Sequence, residues 1–517
     1  MSVKVKDSLH ELIHSLSKSE KRYYKLFASR HVAGEDSAMV ALFDYIAKQP
    51  NYDETALFLA FKGKTFLNQF STVKKRLTDH ILQSLHAFHA TNSMENQVNR
   101  MLHQAQLLFD KSLYDQCTRH LRSAEKLAIK HDLFPACMSI NKLKNRIIET
   151  RGYDVDENDI NQLKQATETV LSKERMILDL WHIKTKLFQL IQRTGAAHSE
   201  RHHQTIDALM ETVPSEELRI AFASAESNYL YFHIHSAYYF AKHQWSKSLY
   251  YTEQTIQHLT AQENYTNERP NTLISALTNA CYLAESIGEF DKSQQFLNTL
   301  KQFAKQQQIN ASEDLQIKLF SSRYSIELNL LLIKGQFKEA QQIGKDVIEG
   351  IEYFNEKITP VRKAFLTIQL AVAEIGCEQY QKALYHINTI LNDTRLGEHE
   401  TIVASTNLLN LIVHFELKNF DFLHYSAKNT QRILKSANRL DDFEKTIIVF
   451  MQKLAKSHPI DFQELFEQLF EQLSGIKTSS ELQTTYNFDY LTWAEAKAMN
   501  KPFATKMLDQ YRFLTST

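Results

Sequence analysis

"KGQFKEAQQIGKDVI" (residues 334–348) sets a glycine two places before an aromatic and an alanine three places after it, then continues as an amphipathic run. Anchored on Phe337, the arrangement returns in "KSLYDQC" (Tyr114), "KHQWSKS" (Trp245), "IGEFDKS" (Phe290), "CEQYQKA" (Tyr380) and "LKNFDFL" (Phe420). From Trp245 onward the anchors lie 45, 47, 43 and 40 residues apart. Between Tyr114 and Trp245, "RGYDVDE" (Tyr153) stands at the first expected place and "RTGAAHSE" near His198 at the second, and "PIDFQEL" (Phe462) gives a last instance. The spacing predicts about nine units with a period in the low forties.

The residues around each anchor give the pattern a structural meaning. Three places after it stand Cys117, Ser248, Ser293, Ala340, Ala383 and Leu423; nine before it stand Ala105, Ser236, Cys281, Leu328, Ala371 and Leu411. Most are small. Antiparallel helices joined by a short turn approach closely only where side chains are small, and a ring at the start of the second helix fills the wedge beside the turn. Apolar residues at three and four spacing, such as Ile326, Leu330 and Ile333 and then Ile343, Val347 and Ile351, mark the two helices of one hairpin. A single hairpin cannot bury both faces, so neighbours must stack.

Composition agrees with helices. Glycine (11) and proline (7) are scarce in 517 residues, so few positions suit the tight turns of sheet proteins. Lysine plus arginine (60) equals aspartate plus glutamate (60), which removes any global field for nucleic acid or anionic membrane. Cys117, Cys137, Cys281 and Cys377 are far apart and follow no metal or disulfide spacing, which fits a reducing cytoplasm. No signal-peptide core opens the chain, and the most apolar run, "LNLLLI" (328–333), is far short of the ~20 residues of a spanning helix. A soluble, cytoplasmic protein without membrane insertion is expected.

"IKGQFKEAQQI", and "IGCEQYQKALYHI" with its glycine displaced to Gly376, resemble the turn of the tetratricopeptide repeat over roughly residues 91–475. The "SLSKSEKR" segment resembles the start of a bacterial helical-repeat family that brings no assigned activity. The resemblance implies an all-α, right-handed solenoid of about nine antiparallel hairpins, irregular because the period exceeds the ~34 residues typical of that repeat. It divides the chain into an N-terminal helical module (1–90), the repeats (91–475) and a C-terminal capping segment (476–517).

The ends differ from the middle. In residues 1–90, Ser17 and Glu20 are spaced as a capping box, and 13 basic residues face 9 acidic ones. "STVKKRLTDHI" could lie on DNA as part of a helix-turn-helix, with Lys74, Lys75 and Arg76 on phosphates; the plainer reading is a cap with solvated lysines. At the other end, Tyr490, Trp493, Phe503 and Tyr511 suit a cap over the last repeat, or alternatively Trp493 anchors a partner.

Three motifs imitate chemistry. "HELIH" (10–14) satisfies HExxH, with His10 and His14 for zinc and Glu11 as base, yet lies in a short terminal amphipathic helix with no third ligand evident. "FKGKT" lacks the first glycine of a phosphate loop, since Phe58 stands there. "HSERHH" places His198 and His202 at i and i+4 for a metal, but reads more simply as a polar loop and helix start. No enzyme, cofactor or metal is expected. The expected function is a protein or peptide-binding scaffold using the groove lined by first helices. In "NYLYFHIHSAYYFAKHQW", the aromatics cannot all face one way, which nominates Tyr231, His235, Tyr238 and Tyr239, joined by Arg323 and Asn329 of the Phe337 unit. The second class is a transcription regulator, its N-terminal module on nucleic acid and its repeats sensing a peptide.

Overall fold

A computed structural model describes residues 7–30, 35–89, 93–193, 200–262, 266–267, 269–307, 312–396, 400–436, 440, 442–457, 462–476 and 488–516. Among these, every regular element is helical. The chain forms two compact units, 1–174 and 175–517. The first contains α1 (Ser8–Ser15), α2 (Lys18–Arg30), α3 (Glu35–Lys48), α4 (Glu54–Ala60), α5 (Phe70–His89), α6 (Met94–Asp110), α7 (Tyr114–Lys130), α8 (Phe134–Thr150) and the start of α9 (Glu157–Arg193). The second continues with α10 (Glu200–Met210), α11 (Glu216–Ala221), α12 (Ala225–Ala241), α13 (Trp245–Ala261), α14 (Pro270–Ser286), α15 (Phe290–Gln307), α16 (Glu313–Ile333) and α17 (Phe337–Phe354). It ends with α18 (Pro360–Gly376), α19 (Tyr380–Leu391), α20 (Glu400–Glu416), α21 (Phe420–Ser436), α22 (Asp442–Leu454), α23 (Phe462–Gly475), α24 (Tyr490–Ala498) and α25 (Phe503–Ser516).

The anchors Tyr114, Trp245, Phe290, Phe337, Tyr380, Phe420 and Phe462 are each the first residue of a helix. Two places before the first six, the backbone turns left-handed at Ser112, His243, Gly288, Gly335, Glu378 and Lys418. The next N–H then reaches back five residues: Gln336 to the Leu331 carbonyl (2.8 Å), Gln379 to Glu374 (2.8 Å) and Asn419 to His414 (2.9 Å). This double reversal satisfies carbonyls that a helix end leaves open. The facing small positions meet as expected, with Ser248 Oγ donating to the Ser236 carbonyl (2.9 Å) and Cys281 Sγ contacting the Ser293 carbonyl (3.5 Å).

Gly376 is not a displaced turn glycine. The left-handed residue of that turn is Glu378, while Gly376 lies inside α18 with the Phe337 ring against it, so close that a Cβ would come within 2.1 Å. The ring that begins one hairpin's second helix is therefore seated on the end of the next hairpin's first helix. Tyr380 meets Glu416, four places before the next anchor, in the same register.

Within the first unit, α1 to α5 enclose their own core, including Leu9, Ile13, Tyr24, Phe43, Leu77 and Ile81. The Ser17–Glu20 capping box forms, with Ser17 N–H donating to the Glu20 carboxylate (2.7 Å) and Glu20 N–H to Ser17 Oγ (3.2 Å). α6 and α7 make a hairpin against α8 around Ala105, Cys117, Leu121 and Ile140. Tyr153 plugs no turn; it is 71% exposed, and the 37-residue α9 follows as one helix where a hairpin was expected. The second expected place, near His198, lies outside the described residues.

In the second unit, helices pack in chain order from α12 to α25, and first helices also touch the next first helix: α14 on α16, α16 on α18, α18 on α20, α20 on α22. α18 from 366 to 375 and α20 from 404 to 415 are buried on every side. The C-terminal aromatics do more than cover the last hairpin. Trp493 is fully buried between Phe415 and Phe466 and donates to Glu416 (2.8 Å), so it cannot anchor an external partner. α25 then returns to earlier turns, Phe503 beside Phe337 (5.5 Å between ring centres) and Tyr511 beside Phe290 (5.3 Å). Its backbone crosses Gly335 so closely that a Cβ there would lie 2.9 Å from Leu508 N.

Candidate functional site

Residues 231, 235 and 239 recur at four spacing, so α12 turns all three side chains to one face. The helix start is fixed by Ser224 and Ser227, each side chain accepting the other's backbone N–H (3.0 and 2.9 Å). On that face Tyr231 meets His235 (4.4 Å), and Tyr251 of α13 stacks on both His235 (4.8 Å, 19°) and Tyr239 (5.5 Å, 12°). The four rings are half-buried. Arg219 of α11 covers Tyr231 (4.9 Å), and Lys247 covers Tyr239 (5.2 Å), so both ends of the ladder carry a cation on a ring face. Tyr250, 55% exposed, continues the apolar surface outward.

Burial, then the Arg219 charge, holds the His235 imidazole below its ordinary pKa, so it is neutral at pH 7. Neither ring nitrogen has a hydrogen-bond partner among the described residues. Burial raises the phenols of Tyr231 and Tyr251, keeping both protonated as donors. The arrangement sets a neutral imidazole among protonated phenols. It offers flat ring faces, phenolic hydroxyls and the Lys247 cation, while Arg219 is already paired with Glu216 (3.2 Å) and donates to Asn228 (2.7 Å); the combination suits recognition.

Tyr238 meets the ladder edge-on at Tyr239 (5.0 Å) and is also tied elsewhere. It donates to Asp207 (2.9 Å), which also pairs with Lys242 (2.8 Å); burial and that carboxylate push the phenol up to about 12. Arg323 lies over Tyr324 and pairs with Glu327 (3.4 Å), while Asn329 donates to Glu285 (2.6 Å) between α14 and α16. The expected set is thus split, with Tyr231, His235, Tyr238 and Tyr239 together and Arg323 and Asn329 apart from them. Tyr251, Arg219 and Lys247 were missed; the sequence signal was the tyrosine pair 250–251 inside the second helix of the same hairpin.

In the N-terminal module Lys74 forms an ion pair with Asp7 and lies over Tyr52 (5.0 Å), whereas Lys75 and Arg76 are exposed on α5. The Nε2 atoms of the HELIH histidines are engaged: His10 Nε2 donates to the Gln49 carbonyl (2.9 Å) and His14 Nε2 to that of Ile46 (3.2 Å), tying α1 to the end of α3. In "FKGKT" the chain leaves helix α4 rather than a strand. His198 and the side chain of His202 lie outside the described residues. Among the described residues no group of three His, Cys, Asp or Glu could hold a metal, and no helix is long and apolar enough to cross a membrane. No protein-family model matches the chain, and no curated protein matches it significantly.

Proposed function

We propose that this chain is a non-catalytic protein or peptide-binding scaffold, a tetratricopeptide-like right-handed stack of hairpins working in the cytoplasm. The ring ladder of Tyr231, His235, Tyr239 and Tyr251 between Arg219 and Lys247 carries this reading. Rigid amphipathic rings beside cations are the composition of protein-binding surfaces. The stack is supported by repeated left-handed turns in one register and by packing in chain order. Because α18 and α20 are buried on every side, a first-helix groove narrows to the stretch around α12 to α16.

The test compares proteins co-purifying with the full chain and with a Tyr239→Ala/Tyr251→Ala variant of equal helicity. Loss of specific partners in the variant supports the reading, and an unchanged set contradicts it. DNA binding by the N-terminal module is the weaker proposal, since Lys74 is engaged by Asp7. It requires salt-dependent duplex binding that a Lys75→Ala/Arg76→Ala variant loses.

A further inference from the structure

Two grooves open between second helices of successive hairpins, and they occupy the same repeat register. One lies between α15 and α17 above α16, with a volume of about 220 Å³; the next lies between α17 and α19 above α18, with about 620 Å³. The residue seven places after the anchor is Leu297 in the first and Gly344 in the second. The residue seven before the closing anchor is Leu330 in the first and Ala373 in the second. Only the second groove combines small residues at both facing positions, and its floor packs up to them: a Cβ at Gly344 would lie 2.9 Å from Leu370 Cδ2, and Ala373 is 1% exposed. Its floor is Leu370 and Ala373, and its walls carry Ile348 (40% exposed) and Tyr385 (70% exposed).

The rim has a definite charge. Lys345 on α17 and Lys382 on α19 stand exposed on opposite walls, and neither has an ion pair among the described residues. The acid of the lining, Glu374, is buried at the floor and accepts from Gln341 (2.8 Å). In the smaller groove the corresponding rim residues are acidic or neutral: Glu339 stands where Lys382 does. An apolar trough between two cations with no ion pair among the described residues matches a bulky apolar side chain with carboxylates on either side. We propose that the α17–α19 groove seats a helical peptide segment of a partner protein, presenting one large apolar side chain between acidic residues. This surface is separate from the ring ladder, so either can fail alone.

The test uses the full chain and fluorescein-labelled helical peptides of about four turns, with a central Phe flanked by Glu, by Lys, or by Glu with the Phe changed to Ser. The Glu-flanked peptide is expected to bind saturably and to slow amide exchange in α17 and α19. Gly344→Leu, the residue found at its register mate Leu297, pushes against Leu370, whose Cδ2 would lie 2.9 Å from the new Cβ, and so reshapes the trough; it should weaken binding at least about tenfold. Lys345→Glu/Lys382→Glu, at exposed positions, should do the same and transfer preference to the Lys-flanked peptide. Tyr239→Ala/Tyr251→Ala should leave this binding unchanged. No saturable binding, equal binding of all three peptides, or indifference to the Lys345/Lys382 pair overturns the proposal. If Gly344→Leu loses helicity, the exposed Lys345/Lys382 charge pair decides it.

Discussion

A left-handed backbone costs an ordinary side chain about 1 kcal/mol or more relative to glycine. Gly288 and Gly335 avoid that cost, whereas Glu378 (φ 58°) and Lys418 (φ 58°) bear it at equivalent turns. Lys418→Gly should therefore stabilise the second unit by about 0.5–1 kcal/mol, and Gly288→Ala, which meets open space but keeps φ at 81°, should destabilise it by a similar amount, both read by urea unfolding. Glu285 gives a pH signature. Burial raises its carboxyl to about 7, against Ser293 and Asn329, which donate to it (2.8 and 2.6 Å) and lower it. A folded pKa above the unfolded one favours the protonated form, so stability is greatest below the ordinary carboxylate pKa and falls as pH rises from about 4.5 through 7. The loss is on the order of 3 kcal/mol, and Glu285→Gln should flatten this slope in unfolding measured across pH 4 to 8.

At the scale of elements, the C-terminal segment is bound by more than apolar burial. Glu416 receives the Trp493 indole N–H and the Lys497 ammonium (2.6 Å), joining α24 to the end of α20. Trp493→Ala should cost about 3–5 kcal/mol, measured on the second unit's unfolding transition, whereas Trp493→Phe keeps the ring contacts with Phe415 and Phe466 and should cost less. The helix starts at the anchors and the turns before them were legible in the sequence because turn geometry constrains residues near one another: a ring, a small residue three later and another nine before. The continuous α9 was not, since Tyr153 satisfies the local pattern without any neighbour to receive its ring. Nor was the return of α25 to Gly335, because the partner of a terminal helix is set by distant surface shape rather than by local spacing.

For each unit as a whole, the sequence spoke clearly of helices and poorly of faces. Four spacing on α12 put Tyr231, His235 and Tyr239 together, but Tyr251 came from another helix, and no spacing rule links two helices before their packing is known. Asn329 looked like a groove residue because it lies on the first helix of the Phe337 unit, whereas a buried carboxylate one hairpin earlier holds it. What joins the hairpins of the second unit is more specific than apolar burial: the Phe337 ring on the bare backbone of Gly376. A double-mutant cycle on that pair tests the stacking most directly, using Gly376→Ala alone, Phe337→Ala alone and both together in urea unfolding. Gly376→Ala should cost about 1–3 kcal/mol when the ring is present and become neutral or stabilising when it is absent, as helix propensity alone would give. The same cost in both backgrounds would contradict the seating of one hairpin on the next.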